Sequence, residues 1–329
     1  MIDSEKLVLP LIAAPMFLVS GPEIVTACCR AGIVGTFPAL NQRTTEGFES
    51  WLDEIEAALD GTSHPGFGVN LIAHKSNPRL QADLEVCVRH KVPLVITSLG
   101  AVPELVEAVH SYGGLVFHDV INLRHARKAA GAGVDGLIAV SAGAGGHAGT
   151  INPFALIAEI RQFFDKIVLL AGSLNSGGDI AAAQMAGADY AYMGTRFINT
   201  VESRACEGHK SMISESTAAD VVYTDKVSGV SGNFLGASLQ TAQAAMEAES
   251  QSGTTAEPGD DGGRKEIDFG KELLAPEDEA KAWKDIWSAG QGVGGISDVP
   301  SVAELVHQMQ QQYKDALNRM ALLGSDLGK

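Results

Sequence analysis

Residues 167–197 read IVLLAGSLNSGGDIAAAQMAGADYAYMGTRF, and this stretch determines the predicted fold. Ile167–Leu174 and Tyr190–Phe197 are apolar runs with a glycine near their ends, and an amphipathic segment, Ile180–Ala186, lies between them. A strand, a helix and a second strand in this order form a βαβ unit, in which the two strands are parallel. Because the first run is apolar on both faces, we expect its strand to be buried on both sides.

The same alternation of apolar runs and amphipathic segments repeats from residue 7 to about residue 197. Eight runs predict strands: Leu7–Met16, Ile33–Pro38, Gly66–Leu71, Pro93–Ser98, Leu115–Ile121, Gly136–Ser141, Ile167–Leu174 and Tyr190–Phe197. The segments that predict helices are Pro22–Ala31, Thr44–Leu59, Pro103–His110, Arg124–Ala132, Pro153–Phe164 and Ile180–Ala186. Such a chain closes most simply into a (β/α)8 TIM barrel, with an open, doubly wound α/β sheet as the alternative.

The pattern changes after residue 200. Residues 204–245 look mainly helical with no clear strand, and residues 249–270 form an acidic, glycine-rich loop by composition. Val302–Leu323 has apolar residues on one face, which predicts a long helix that packs back onto the barrel. We therefore predict a barrel made of residues 1–203 and 286–329, with a smaller, mainly helical lid or substrate region at residues 204–285.

The formal net charge of −16, from 24 Lys and Arg against 40 Asp and Glu, argues against a nucleic-acid or membrane partner. Backbone N–H groups can still bind a phosphate in an acidic protein. The four cysteines fit neither a zinc site nor a disulfide framework, so we predict no metal. The sequence shows neither a secretory signal nor an apolar run of about 18 residues, which predicts a cytoplasmic protein. The apolar C-terminal helix leaves a homodimer open.

Two glycine turns, Gly172–Ser173 and Gly194–Thr195, follow the seventh and eighth predicted strands. Active sites of TIM barrels form at the C-terminal ends of the strands, and the loops after strands 7 and 8 commonly bind phosphate. Glycine lets the main chain approach a phosphate closely, and we expect the helix after Ser173 to present N–H groups to it. The alternative is that Gly172 and Gly194 only form turns.

Three further positions are candidates at the barrel mouth. His147 lies in the loop GAGGHAG at residues 143–149, where it either takes a proton from a substrate or faces solvent. Asn70 ends the third strand, where its amide either contacts a cofactor ring or forms a turn. His118 and Asp119 end the fifth strand, and alternation places only one of them inside the barrel.

Four motifs resemble those of the nitronate monooxygenases, formerly called 2-nitropropane dioxygenases. They are IAAPM at Ile12–Met16, FGVNL at Phe67–Leu71, GGHAG at Gly145–Gly149 and MGTRF at Met193–Phe197, with a weaker match in IWSAGQGVG at Ile286–Gly294. The same superfamily includes flavin-type enoyl-acyl-carrier-protein reductases and NADH:quinone reductases. The resemblance implies an FMN-dependent oxidoreductase that oxidises small alkyl nitronates with oxygen. An NAD(P)H-dependent reductase of quinones or enoyl thioesters and a non-catalytic FMN-binding protein are the alternatives.

The resemblance also implies which residues hold FMN non-covalently at the barrel mouth. The expected contacts are Ala14, Pro15 and Met16 along the isoalloxazine, Asn70 at the ring or ribityl chain, Gly145 or Gly146 near the ribityl chain, Gly172, Ser173, Gly194 and Thr195 at the phosphate, and Gln291 and Gly292 at the dimethylbenzene side. His147 matches the family histidine that takes a proton from a neutral nitroalkane or assists its oxidation.

The chain departs from the family pattern in three places. Ser173 stands where relatives usually have the second glycine of AGGI, and its N–H can still bind phosphate. Asp119, a predicted cofactor contact, stands where many relatives have Lys. A carboxylate there disfavours reduced anionic flavin unless it points away or is protonated. Residues 228–235 read SGVSGNFL, where relatives often carry an Arg-rich segment, so the substrate and any NADH site can differ.

Overall fold

Eight parallel strands close into a barrel in the computed structural model, which describes residues 2–227, 230–251 and 286–326. The barrel strands, numbered in chain order, are β1 (Leu11–Ala13), β2 (Val34–Pro38), β3 (Phe67–Ile72), β4 (Leu94–Ser98), β5 (Leu115–Val120), β6 (Gly136–Val140), β8 (Ile167–Ala171) and β9 (Tyr190–Met193). The barrel closes where β9 pairs with β1, with Ala191 opposite Leu11. The predicted (β/α)8 barrel is confirmed, and the open doubly wound sheet is wrong.

Helices follow the strands on the outside of the barrel. They are α1 (Pro22–Arg30), α2 (Thr45–Leu59), α3 (Leu80–Arg89), α4 (Pro103–His110), α5 (Leu123–Gly131), α6 (Pro153–Arg161) and α7 (Gly177–Met185). Helix α3 was not among the predicted helices. Its N-cap residue, Arg79, makes no side-chain cap hydrogen bond, and its buried face includes Asp83, which interrupts the apolar pattern. The usual signals of a helix start and of an apolar face are therefore weak there.

The barrel interior is packed with side chains that alternate along each strand. Ile96 of β4 and Phe117 of β5 lie in the interior cluster, whereas Val95 and Val116 lie in the cluster beneath the helices. Both clusters are buried, so these strands are apolar on both faces. The same alternation turns Asp119, two residues after Phe117, toward the interior at the mouth of the barrel.

The eighth barrel strand is shorter than predicted. It ends at Met193, whose carbonyl accepts a hydrogen bond from the N–H of Ala14 at 2.8 Å. The prediction of a strand through Phe197 is wrong, because the one-turn helix α8 (Thr195–Ile198) begins directly after Gly194. The N–H groups of Phe197 and Ile198 both donate to the carbonyl of Gly194. Gly194 therefore lies between β9 and α8, and Thr195 is the first residue of that helix.

A small antiparallel sheet lies over the barrel mouth. Its central strand is β11 (Gly232–Leu235), which pairs with β10 (Val221–Thr224) and with β7 (Gly146–His147), a two-residue strand of the GAGGHAG loop. The prediction that residues 204–245 contain no strand is therefore wrong. These strands have only two to four residues each, too few for a periodic pattern to be seen.

The described residues of the C-terminal part contain three more helices: α9 (Glu207–Glu215), α10 (Gly236–Gln251) and α11 (Val302–Asp326). Helix α11 packs against α7 and α1 through Val302, Leu305, Val306 and Met309, as predicted for a helix that returns to the barrel. Helix α10 continues into the first residues of the predicted loop 249–270, and the rest of that loop lies outside the described residues. Among the helices that are described, none is long and apolar enough to span a membrane.

Candidate active site

The turn after β8 has an unusual backbone conformation. Gly172 has a φ of +129° and Ser173 a φ of +57°, in the region that residues with a side chain rarely adopt. A Cβ at Gly172 would collide with the hydroxyl of Ser141, which donates to the carbonyl of Ala171 at 2.7 Å. Glycine is therefore needed at position 172. The left-handed Ser173 marks this turn as a candidate functional position.

Backbone segments from distant parts of the chain meet beside this turn. The N–H of Gln291 donates to the carbonyl of Gly143 at 2.8 Å, and the N–H of Gly290 donates to the Thr195 hydroxyl at 2.9 Å. A Cβ on Gly145 would lie 2.8 Å from the Gly290 nitrogen, and one on Gly290 would lie 2.5 Å from the Gly143 oxygen. The main chains thus approach one another closely, with the Thr195 hydroxyl beside Gly145 and Gly290.

The predicted segment at Gln291–Gly292 also contacts the turn after β8. A Cβ on Gly292 would lie 3.3 Å from the carbonyl carbon of Ser173, and the side-chain amide of Asn175 donates to the Gly292 carbonyl at 2.5 Å. Four glycine-containing segments therefore meet, and we call this group the glycine cradle. It consists of residues 143–146, 172–173, 194–195 and 290–292.

The N-terminus of α7 does not present N–H groups to the cradle in the way the sequence predicted. Ser176 and Asp179 form a capping box, and the Asp179 carboxylate accepts hydrogen bonds from the N–H groups of Asn175 and Ser176. The N–H of Gly177 donates to the side-chain oxygen of Gln312 in α11 at 2.8 Å. These donors are already used, and the carboxylate of Asp179 would repel an anion. The N–H groups of Asn175, Ser176 and Gly177 are therefore not free to bind an anion.

The segment after β1 lies beside Gly194. A Cβ at Gly194 would lie 3.7 Å from the Ala14 Cβ and 3.7 Å from the Met16 Cγ, which are ordinary van der Waals distances. The N–H of Met16 donates to the Ser20 hydroxyl, and the Met16 carbonyl accepts from the Asn41 side-chain amide, each at 3.0 Å. These bonds fix Ala14-Pro15-Met16 at the edge of the cradle, next to the turn predicted to hold phosphate.

The small sheet fixes the loop that carries His147. His147 lies opposite Gly232 in the pairing of β7 with β11, and the buried Asn233 amide donates to the Ala144 carbonyl at 2.7 Å. The Tyr223 hydroxyl donates to the Ala148 carbonyl at 3.1 Å. Sequence reasoning did not identify Asn233 or Tyr223, because these contacts join residues 75 and 89 positions apart.

His147 combines access to solvent with a ring that is partly dehydrated. The residue as a whole is exposed, yet burial of the ring lowers the pKa of His147 below its ordinary value. The neutral ring therefore predominates at pH 7, and a neutral imidazole has a nitrogen that can accept a proton. This is the state that a general base needs.

A hydrogen-bonded row of three polar residues crosses the ends of β3, β4 and β5. The side-chain amide of the buried Asn70 donates to the Ser98 hydroxyl at 2.8 Å, and that hydroxyl donates to Asp119 Oδ2 at 2.5 Å. Burial raises the pKa of Asp119 to about 6, and the Ser98 hydrogen bond opposes the rise. Asp119 Oδ1 is buried without a hydrogen-bond partner in the described part of the chain. Ser98 was not among the predicted site residues.

His118 points away from the mouth. It lies 2.7 Å from the Thr97 hydroxyl and faces α5, where burial and then the charges of His125 and Lys128 lower its pKa to about 4. The expectation that only one of His118 and Asp119 faces the interior is therefore confirmed by the geometry. Asp119 is the inward residue, so it does not point away from the mouth.

Comparisons with known proteins agree with this architecture. The model of the family described as nitronate monooxygenase matches residues 1–312. A nitronate monooxygenase of Paraburkholderia phytofirmans is 27% identical, with 94% of each chain covered. A Rhodococcus jostii (3aS,4S,5R,7aS)-5-hydroxy-7a-methyl-1-oxo-octahydro-1H-indene-4-carboxyl-CoA dehydrogenase is 29% identical over 70% of this chain, and the match spans 63% of that relative's length. FabK from Thermotoga maritima has a similar fold, with a TM-score of 0.78, 23% identity and 96% of each chain covered. This chain therefore belongs to the nitronate monooxygenase family.

Proposed function

We propose that this chain is an FMN-dependent oxidoreductase, and specifically a nitronate monooxygenase that oxidises alkyl nitronates with oxygen. The observation that carries the proposal is the glycine cradle at the C-terminal ends of the barrel strands. In a chain of this family, four side-chain-poor segments meeting there suit a phosphate bound by main-chain N–H groups. The full-length match to a nitronate monooxygenase supports the choice of reaction.

The charges near the cradle bear on how it would hold the FMN phosphate. Arg196, which follows the cradle in MGTRF, is buried and pairs with Asp298 at 2.8 Å, so its charge is already neutralised. A phosphate would therefore depend on main-chain donors at Gly172–Ser173 and Gly194–Thr195. Ala14-Pro15-Met16 and Asn70 would contact the ring. Gln291 and Gly292 were predicted to lie at its dimethylbenzene side, but Gly292 lies against Ser173, so this segment would instead lie near the phosphate. The unpartnered oxygen of Asp119 is a further polar atom that a ligand would satisfy.

The bound FMN would supply the electron acceptor for the substrate and the site of reaction with oxygen. The chain itself would supply the base: His147 would take the proton from the carbon beside the nitro group of a neutral nitroalkane. The pairing of β7 with β11 and the Asn233 hydrogen bond to Ala144 hold this loop in place. A preformed nitronate has already lost that proton, so it would not require His147 as a base.

The first experiment is whether the purified protein retains FMN. A colourless protein that does not bind added FMN would refute the proposal. A yellow protein is mixed without oxygen, in separate cuvettes, with propionate 3-nitronate and with NADH, and the flavin absorbance is followed. Bleaching by the nitronate alone supports the proposal. Bleaching by neither would support a non-catalytic FMN-binding protein.

A reductase is the second candidate function, because the Rhodococcus relative is named as a dehydrogenase of a coenzyme A thioester. Bleaching by NADH in the same experiment, followed by recolouring with a quinone or an enoyl thioester, would identify it.

We also propose that residues 204–285 form a lid or substrate region over a barrel of residues 1–203 and 286–329. The contact of β11 with the His147 loop supports this division. The homodimer stays a prediction.

A further inference from the structure

The carboxyl group of Asp119 lies at the mouth of the barrel. It faces the interior at the end of β5, in a polar row with Asn70 and Ser98 that is centred on β4. In the circle of eight strands, β4 lies four positions from β9 in both directions, so the row stands across the mouth from Gly194. A ligand held by its phosphate at the cradle would direct the rest of its structure across the mouth, toward this row.

The direction of the hydrogen bonds shows what this row lacks. The Asn70 amide donates to Ser98, and Ser98 uses its single hydroxyl proton on Asp119 Oδ2. No group in residues 2–227, 230–251 or 286–326 donates to Asp119 Oδ1, which is buried. An ionised carboxylate with a bare, buried oxygen is costly, whereas a protonated Oδ1 becomes a hydrogen-bond donor that needs an acceptor.

Among the residues that the structure describes, no charge near Asp119 favours its ionised form. Burial and the Ser98 hydrogen bond are the influences on its pKa, and no cation is among them. Tyr192, on the neighbouring interior surface, is a neutral phenol whose pKa is raised by burial and by the Asp119 charge. His118 is adjacent in sequence but faces α5.

We propose that Asp119 binds FMN as a neutral carboxylic acid, donating its Oδ1 proton to an acceptor atom of the isoalloxazine ring, so that deprotonation of this one carboxyl weakens cofactor binding. The pyrimidine part of the ring offers carbonyl oxygens and a ring nitrogen as acceptors. The inference rests on the proposed function and adds to it a pH-sensitive control of cofactor occupancy.

The expected pH dependence follows from linkage. The pKa of Asp119 is about 6 without the ligand, and a bond donated by the acid form raises it further in the complex. FMN binding is then strongest below pH 6. Affinity falls by about tenfold per pH unit above this value, until the pH passes the pKa of the complex. The FMN phosphate also ionises near a pKa of about 6, so a single profile cannot be assigned to Asp119.

The experiment therefore compares two proteins at every pH. The Kd of FMN is measured by quenching of flavin fluorescence between about pH 5 and 8 for the wild type and for Asp119→Asn. The amide keeps a donor group and an acceptor oxygen but does not titrate. The ratio of the wild-type Kd to the variant Kd should be near one at pH 5 and rise by about tenfold per pH unit above 6. Riboflavin, which lacks the phosphate, should give the same ratio.

Ser98→Ala provides a second readout that a merely structural role would not change. The Ser98 hydrogen bond lowers the pKa of Asp119, so its removal should move the fall in affinity to higher pH. A ratio that is constant with pH, or an unchanged profile in Ser98→Ala, overturns the proposal while leaving FMN binding intact. Failure of the wild type to bind FMN at any pH would instead refute the proposed function. If Asp119→Asn does not fold, the Ser98→Ala comparison decides alone.

Discussion

Gly194 allows the phosphate site to be tested with little disturbance of the fold. It has a φ of −104° and a ψ of −65°, and an added Cβ would meet its nearest atoms, in Ala14 and Met16, at 3.7 Å. The folded protein therefore accommodates Gly194→Ala, and the reduced freedom of the unfolded chain should stabilise the variant by about 0.4–1 kcal/mol. Any loss of FMN affinity then reports on the ligand and not on damage to the barrel.

The proposed contacts predict how much FMN affinity Gly194→Ala should lose. If the Gly194–Thr195 main chain binds the phosphate, the new methyl group prevents close approach and removes one hydrogen bond to a charged group. Such a bond contributes about 1.5–3 kcal/mol, which corresponds to a Kd raised roughly 10- to 150-fold. The Kd is measured by flavin fluorescence quenching, and the thermal midpoint by circular dichroism without FMN.

Gly172→Ala is the matched control. Its φ of +129° and the collision of a Cβ with Ser141 predict that it destabilises the fold without ligand, by more than about 1 kcal/mol. The two alanine substitutions should therefore change the stability of the protein in opposite directions. If Gly194→Ala binds FMN as tightly as the wild type does, the phosphate is not bound at Gly194–Thr195. A lower thermal midpoint for Gly194→Ala would show that the local packing is misjudged.

Three more predictions concern the His147 loop and pH. His147→Ala should slow turnover of neutral nitroalkane far more than of preformed nitronate in steady-state assays, and equal effects would exclude a base. Asn233→Ala leaves the Ala144 carbonyl without its donor, so denaturant unfolding should show a loss of about 1–3 kcal/mol. An unchanged midpoint would contradict this. Burial lowers the pKa of His209 to about 4, so its contribution to stability is complete above the ordinary pKa of 6.5 and is lost as pH falls toward 4. Melting curves of His209→Gln should therefore depend less on pH than those of the wild type, and parallel curves would refute the assignment.

The sequence by itself determined the barrel, because that information is local. Each strand such as Ile167–Ala171 is apolar on both faces, and each is followed by a turn and an amphipathic helix. The spacing of apolar residues distinguishes a strand from a helix. Eight repeats of a strand and a helix leave few folds in which every strand is buried. The same local reading found the glycine turns at 172 and 194 and the loop of His147, because small residues after a strand indicate close approach of the main chain.

Helix α3 shows why the pattern of neighbouring residues can fail to predict a helix. Its buried Asp83 is held by Arg79 at 3.0 Å and by the Thr45 hydroxyl at 2.7 Å. The second contact comes from α2, 38 residues earlier in the chain. A polar residue on the buried face is therefore compatible with a helix, but only once the partner helix is in place.

The chemistry of the mouth was decided by tertiary structure. Gln312 reaches the start of α7 from 135 residues away, and Gly232 pairs with His147 across 85 positions. The inward direction of Asp119, and the burial that raises its pKa, follow from the packing of β5 between β4 and β6. Periodicity depends on neighbours three or four residues apart, whereas hydrogen-bond partners and burial depend on chain segments that meet only in the closed barrel.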